Sequence, residues 1–116
     1  MNKLLLSFTL ITGLIISTSA VLAEENSSKD TLELAKRSGC LACHSVEKKV
    51  VGPAWRDVSK RYKGQDAREQ LIKKVKAGGK GNWTEVTRGV PMPPYSPRVK
   101  DENIEKLVDF VLALEK

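Results

Sequence analysis

Two cysteines and the single histidine of the chain fall within five residues, in the order Cys40-Leu41-Ala42-Cys43-His44. Cysteines at this spacing serve as a thioredoxin-like redox pair, as zinc ligands or as covalent haem attachment points. The redox pair belongs to a βαβ context, which this sequence does not offer. A structural zinc site takes four ligands, and no second cysteine pair is present to complete one.

Haem attachment explains why a histidine directly follows the second cysteine. The two thiols bond to one edge of the porphyrin, and the next side chain then lies under the iron. Cys40 and Cys43 are therefore predicted to hold one haem c covalently, with His44 as an axial ligand of the iron. The second ring nitrogen of His44 should donate a hydrogen bond that orients the ring. A histidine that binds no metal is the plain alternative.

The first 23 residues have the pattern of a secretory signal. Lys3 precedes an apolar run over residues 4–16, and Ala23 offers a small residue for cleavage before two glutamates. The run is shorter than the about 20 residues that span a bilayer, and an uncleaved anchor is the alternative. We expect export to the periplasm and a mature domain of residues 24–116. Cleavage removes one of the 20 basic residues and none of the 14 acidic ones, so that domain carries a net charge of +5.

The mature region is predicted to be all-α, with about four helices. Asp30-Thr31-Leu32-Glu33 has the pattern of a capping box and predicts a first helix that ends at Gly39. The polar residues 24–29 before it are expected to be loose. Because so short a chain buries only a modest core, a large apolar cofactor at its centre would supply what the side chains do not.

Three further helices are predicted. Pro53 can open the second, which has apolar residues three and four apart: Trp55, Val58 and Tyr62. Asp66 begins another capping-box pattern, and Gly78 ends this third helix. Residues 78–99 are rich in Gly and Pro and predict a long irregular loop, a feature that is usually functional. The last helix is the clearest, because its apolar residues share one face: Ile104, Leu107, Val108, Val111 and Leu112.

Three segments together resemble the small bacterial class I cytochromes c of the c-551/c-552 type. They are Cys40-Leu41-Ala42-Cys43-His44, Val50-Val51-Gly52-Pro53-Ala54-Trp55 and Val90-Pro91-Met92-Pro93-Pro94, and the similarity runs from Leu32 to Leu114. The haem motif is common to all c-type cytochromes, whereas its combination with Val-Gly-Pro and Pro-Met-Pro-Pro is much more specific. The resemblance implies a compact cytochrome c fold wrapped around one covalently bound haem.

Met92 is the one methionine in the mature region, and prolines on both sides stiffen its backbone. A lone methionine is otherwise often a filler of the core. The resemblance implies that Met92 is the second axial ligand of the iron, opposite His44. A thioether in that position raises the reduction potential and closes the iron to oxygen and substrates. This description fits an electron-transfer protein and not an enzyme.

The resemblance also implies three supporting residues. The carbonyl of Pro53 would accept a hydrogen bond from the ring of His44, and Trp83 would donate one to a haem propionate. Lys74 lies nearest to the position of a basic residue with a similar role. Core packing is the alternative for Trp83, and a solvated surface charge is the alternative for Lys74.

Two features depart from the family pattern. The loop from Thr84 to Pro91 is about four residues longer than in short members of the family, and we expect it to bulge near the haem edge. Tyr95 stands where relatives commonly place an amide side chain that hydrogen-bonds the methionine sulfur. A tyrosine hydroxyl donates from a different distance, so the tuning of the potential is left open.

The middle of the chain is basic. Ten of its Lys and Arg residues are candidates for a positive surface: Lys48, Lys49, Arg56, Lys60, Arg61, Lys63, Lys73, Lys74, Lys76 and Lys80. Many of them are expected to lie on solvent-exposed faces of helices, and no nucleic-acid-binding motif accompanies them. Part of the charge is expected to steer acidic redox partners to the haem edge in transient complexes. The sequence thus predicts a monomeric periplasmic electron carrier. A cytochrome subunit of a larger dehydrogenase or oxidase, and more remotely a haem enzyme or gas sensor with an open iron site, are the alternatives.

Overall fold

The computed structural model describes residues 19–115. In chain order it contains α1 (Ser19–Arg37), a 3-10 turn (Cys40–Ala42), α2 (Trp55–Tyr62), α3 (Arg68–Ala77), α4 (Thr84–Thr87) and α5 (Asp101–Leu112). Within the described residues, β pairing is limited to two isolated bridges, between His44 and Lys49 and between Gly79 and Met92. The all-α prediction is confirmed, and the four longer helices are joined by one short helix, α4, that was not predicted.

The first helix begins well before the predicted capping box. α1 runs through residues 24–29, so the expected loose segment and the expected start at Asp30 are both wrong. Lys29 pairs with Glu25 at 3.1 Å, and the Thr31 hydroxyl donates to a carbonyl one turn earlier. Polar side chains with partners three and four residues away are compatible with a helix interior, so the pattern at Asp30 does not mark an end.

The predicted signal, residues 1–23, lies mostly outside the described residues, and α1 continues across the proposed cleavage point after Ala23. Val21 and Leu22, just before that point, are 69% and 62% exposed, whereas Ala35 is fully buried. The packed part of α1 therefore lies in the region that cleavage would retain. Among residues 19–115 no helix is both long and apolar enough to cross a membrane.

α2 and α3 begin about two residues later than predicted. α2 starts after Pro53 and Ala54 rather than at the proline. α3 starts at Arg68 without a side-chain cap, so the capping box predicted at Asp66 is wrong. The predicted end of α3 is confirmed, because Gly78 follows its last residue with a φ of +67°.

The core is built around α5, which packs against α1, α2 and α3. Its predicted face is confirmed, because four of the five residues on it are buried: Ile104, Leu107, Val108 and Val111. The buried residues of α2 face the same core: Trp55, Val58 and Tyr62. The space beside this core is lined by residues of α2, α3 and α5 and by the segments that connect the helices.

Polar contacts hold α5 at its carboxyl end and on its outer face. At its carboxyl end, the buried Ser59 hydroxyl donates to the Leu112 carbonyl at 3.1 Å and accepts from the Glu115 amide at 2.9 Å. On its outer face, the Arg68 guanidinium donates to both carboxylate oxygens of Asp109, at 2.6 and 3.0 Å. These contacts hold α5 against α2 and α3.

Candidate haem-binding site

The two cysteines lie on the 3-10 turn that follows α1. Gly39 turns the chain out of the helix with a φ of +85°, a conformation that favours glycine. The amides of Cys43 and His44 then both donate to the Cys40 carbonyl, at 3.2 and 3.0 Å. This short turn brings both sulfur atoms and the imidazole to the wall of one cavity. Both thiols are free, and burial raises the pKa of the Cys40 thiol.

The imidazole of His44 is held in one orientation. Its Nδ1 lies 2.8 Å from the Pro53 carbonyl oxygen, and because a carbonyl only accepts, Nδ1 carries the proton. Nε2 therefore keeps the lone pair that binds a metal. The ring stacks on Trp55, with centroids 5.8 Å apart. Burial lowers the pKa of His44, and the Pro53 carbonyl opposes that effect, so the neutral, metal-binding form is favoured.

Gly52 lies directly against the His44 ring. A Cβ atom on Gly52 would come within 2.5 Å of Cε1 and 2.9 Å of Nδ1 of the histidine. The Gly52 amide also donates to the Cys43 carbonyl at 2.8 Å, which brings this segment against the haem motif. In the Val-Gly-Pro motif, the glycine thus makes room for the ring and the proline carbonyl orients it.

Met92 lines the same cavity, from the segment that follows α4. Its main chain pairs with Gly79: the Gly79 amide donates to the Met92 carbonyl at 2.7 Å, and the Met92 amide donates back at 3.1 Å. A Cβ atom on Gly78 would lie 2.5 Å from that same carbonyl oxygen. The Tyr95 amide adds a bond to the Val75 carbonyl at 3.1 Å. Residues 90–95, the methionine loop, are therefore fastened to the end of α3 at Met92 itself and again three residues later.

The space between these walls measures about 1150 Å³, including the part that opens to solvent. Among the described residues that line it, the basic side chains are those of His44 and Lys74. Most of the others are apolar: Val51, Trp55, Val58, Leu71, Val75, Leu107, Val108 and Val111. Binding sites for organic ligands are lined mainly by apolar side chains with a few placed polar groups, and this lining suits a large apolar group. Two thiols, an imidazole and a thioether on an apolar wall fit a covalently attached haem.

The zinc alternative finds no support in the described part of the chain. No group of three or more His, Cys, Asp or Glu side chains is arranged there to hold a metal ion.

Lys74 and Trp83, both predicted to support the cofactor, line the cavity. The Lys74 ammonium donates to the Gly79 carbonyl at 2.8 Å, and its stem packs on Gly81, where a Cβ atom would lie 3.0 Å from Cε. Lys74 therefore fastens the turn after α3. Trp83 is half-buried, and the guanidinium carbon of Arg61 lies 4.5 Å from its ring centroid.

Residues 84–87, within the segment that we expected to be irregular, form one helical turn, α4. The Trp83 carbonyl accepts from the amides of Val86 and Thr87, at 3.0 and 2.9 Å, which starts α4. Arg88 then ends α4 in the left-handed region, with a φ of +54°. Thr87 and Val90 line the cavity, so the extra residues add to its wall.

Tyr95 is 5% exposed and also lines the cavity. The guanidinium carbon of Arg98 lies 4.8 Å from its ring centroid, and Arg98 also donates to the Ser38 carbonyl at 3.3 Å. Burial raises the pKa of the Tyr95 hydroxyl, which keeps it protonated and able to donate. Arg98 thus ties the methionine loop to the end of α1.

Three residues of the site had no predicted role beyond their local motif. Gly52 was part of a quoted motif, Gly78 was a helix end, and Arg61 was one of many basic residues. The glycine beside Pro53 and the glycine pair after α3 were the available signals, since glycine is required where backbone or side chains approach closely. Nothing in the sequence pairs Arg61 with Trp83.

The chain is similar to known proteins in sequence and in overall structure. Residues 30–115 match the family model described as cytochrome c. The chain is 48% identical over 84 residues to the cytochrome c-551 of Allochromatium vinosum, a match that covers 72% of this chain and 84% of that protein. It is 43% identical over 84 residues to the cytochrome c-552 of Hydrogenobacter thermophilus, covering 72% and 80%. The crystal structure of wild-type Nitrosomonas europaea cytochrome c552 is similar with a TM-score of 0.64 and 40% identity, covering 72% of this chain and 99% of that chain.

Proposed function

The chain belongs to the cytochrome c family, and we propose that it is an exported carrier that moves single electrons between respiratory redox partners. The family match confirms the resemblance that the three motifs indicated, and it makes haem c the cofactor, with Cys40 and Cys43 in its attachment motif. When bound, the haem supplies an iron that alternates between the ferrous and ferric states. In this proposal His44 and Met92 are its axial ligands.

One observation carries the proposal: His44 and Met92 line one cavity, and each is fixed by its own backbone supports. His44 is confined by the Pro53 carbonyl and by Gly52, and the Met92 main chain is paired with Gly79. Ligands held in this way change position little when the iron changes charge, which suits rapid electron transfer. His44 is the only histidine in the sequence, so a distal acid–base residue of that type is lacking for peroxide or oxygen chemistry.

The surface beside the cavity suits a partner that binds briefly. Four exposed apolar residues lie next to the haem motif or line the cavity: Leu41, Val50, Val51 and Val90. Residues 48–100 hold fourteen Lys and Arg against four Asp and Glu. Exposed apolar side chains, together with the excess of positive charge over residues 48–100, favour acidic redox partners in small complexes that form and dissociate quickly.

Charge reversal tests the proposed steering. Lys49 pairs in a bridge with His44, and Lys80 lies beside Gly89, next to the Val90 wall. We expect Lys49→Glu and Lys80→Glu each to slow oxidation of the ferrous protein by hexacyanoferrate(III), an anion, at low ionic strength. Lys36→Glu, an exposed position on α1, makes the same change in net charge and is the control. Equal rates for the three variants would contradict steering toward the cavity.

Export and cleavage are tested by expressing the full chain with haem-attachment machinery. Mass spectrometry of the periplasmic fraction should find residues 24–116 with one haem attached. A haem-loaded chain that keeps residues 1–23, or that stays with the membrane, would contradict the proposed signal.

The carrier role is tested with carbon monoxide. If both axial positions are filled by the protein, the ferrous spectrum should stay unchanged, and a redox titration should follow a reversible one-electron curve. Ready binding of carbon monoxide would replace the carrier by an open-site haem enzyme or gas sensor. Elution as a monomer from a native extract supports a free carrier, whereas co-elution with a larger complex would assign the chain to that complex as a subunit.

A further inference from the structure

Arg61, in the last turn of α2, makes two contacts with the segment that carries Trp83. Its guanidinium carbon lies 4.5 Å from the centroid of the Trp83 ring, a distance at which a cation is attracted to an aromatic face. Its Nη1 donates to the Asn82 carbonyl at 2.7 Å, the peptide group directly before Trp83. The same side chain therefore holds both the ring and the backbone of this tryptophan.

Trp83 and Lys74 are possible hydrogen-bond donors in the cavity wall. Lys74 and Trp83 both line the cavity, and Lys74 packs on Gly81, two residues before Trp83. Haem carries two carboxylates, and an anion beside an apolar cavity needs donors and positive charge nearby. Lys74 donates one of its three N–H groups to the Gly79 carbonyl, and the indole of Trp83 adds one further N–H donor to this wall.

We propose that Arg61 is a positioning residue, which holds the Trp83 indole so that its N–H donates to a haem carboxylate and thereby raises the reduction potential. The inference rests on the haem site of the proposed function. A hydrogen bond to the carboxylate offsets part of its negative charge. Because negative charge near the iron favours the ferric state, loss of this bond lowers the potential.

The test separates this action from the bare charge of Arg61. Midpoint potentials are measured for Arg61→Ala and for Lys60→Ala, which removes the same charge from the adjacent exposed residue of α2. Both variants should have lower potentials than the wild type, and Arg61→Ala should show the larger drop. Arg61→Lys, which keeps a cation able to lie over the ring, should recover most of the difference.

A second pair of variants isolates the indole N–H. In a Trp83→Phe background an aromatic ring remains but the donor is gone, so Arg61→Ala should lower the potential less than it does in the wild type. In ¹⁵N-labelled ferrous protein, the indole N–H resonance of Trp83, assigned by its loss in Trp83→Phe, should shift in Arg61→Ala and stay in place in Lys60→Ala.

Two results would overturn the proposed role of Arg61. An equal potential drop for Arg61→Ala in the presence and absence of the indole would overturn the inference, because Arg61 would then act as a charge alone. An unshifted indole resonance in Arg61→Ala would overturn it as well. The far-red band of methionine ligation, recorded on the same wild-type samples, reports on the proposed function separately, since its absence would remove the Met92 ligand without bearing on the contact between Arg61 and Trp83.

Discussion

Substitution of Gly52 by alanine should damage the seat of the proposed proximal ligand. The added Cβ would lie 2.5 Å from Cε1 and 2.9 Å from Nδ1 of His44, closer than non-bonded atoms can approach. The φ of Gly52 lies outside the left-handed region, so the backbone itself accepts alanine and the contact alone is responsible. The histidine cannot retreat freely, because Nδ1 is bound to the Pro53 carbonyl and the ring stacks on Trp55.

The size of the effect follows from these contacts. Relief of the clash by rotation of His44 loses a hydrogen bond worth about 1 kcal/mol. Overpacking of a filled site adds about 1–3 kcal/mol. We therefore expect Gly52→Ala to lower the free energy of unfolding of the haem-loaded protein by about 2–4 kcal/mol, a large part of a typical stability of about 5–15 kcal/mol.

Guanidinium denaturation and the visible spectrum measure the two consequences together. Gly64→Ala is the matched control, because Gly64 has a φ of +76° and a Cβ atom there meets nothing within 4 Å. The control should lose about 1–2 kcal/mol through backbone strain and keep the wild-type haem spectrum. Gly52→Ala should change the spectrum as well, since the iron–histidine bond is disturbed. Wild-type stability and an unchanged spectrum for Gly52→Ala would refute the argument that Gly52 is needed to seat His44.

Two further substitutions separate the methionine loop from the general core. Gly78→Ala should lower the free energy of unfolding by about 3 kcal/mol and weaken the far-red band of the ferric protein. The substitution adds backbone strain at a φ of +67° to a 2.5 Å contact between the new Cβ and the Met92 carbonyl oxygen. An intact band would contradict the role of Gly78 in holding that loop. Ser59→Ala should lower the free energy of unfolding, measured in denaturant, by about 1–3 kcal/mol, because it leaves the Leu112 carbonyl and the Glu115 amide without their partner. The haem spectrum should stay unchanged. No loss of stability would show that these groups find other partners.

Regular helices were predicted where the sequence repeats strongly. The apolar face of α5 recurs over several turns, and the structure buries four of its five predicted residues. Helix starts were predicted poorly, because a capping-box pattern is local and weak. Asp30 lies inside α1, and Asp66 precedes α3 without capping it. α4 has only one turn, so no periodicity was available to reveal it.

For the site as well, local patterns in the sequence were informative and contacts between distant segments were not predicted. The prediction for Cys40, Cys43 and His44 needed only their spacing, because the three residues lie on and directly after a single short turn. Met92 was assigned through its resemblance to a family, because it lies 48 residues further along the chain from His44 and no local pattern joins them. The contact of Gly52 with the imidazole and that of Arg61 with Trp83 depend on how separate segments pack, which requires the folded structure.

We propose that His44 and Met92 together leave no open coordination position on the haem iron. The most direct measurement is the far-red absorption band of ferric iron bound to a thioether sulfur, recorded on the mature haem-loaded protein and on Met92→Leu. We expect the band in the wild type, its loss in Met92→Leu, and carbon monoxide binding only in the variant. A wild-type protein without the band, or a Met92→Leu variant that keeps it, would contradict the account, because the iron would then have a different sixth ligand or none.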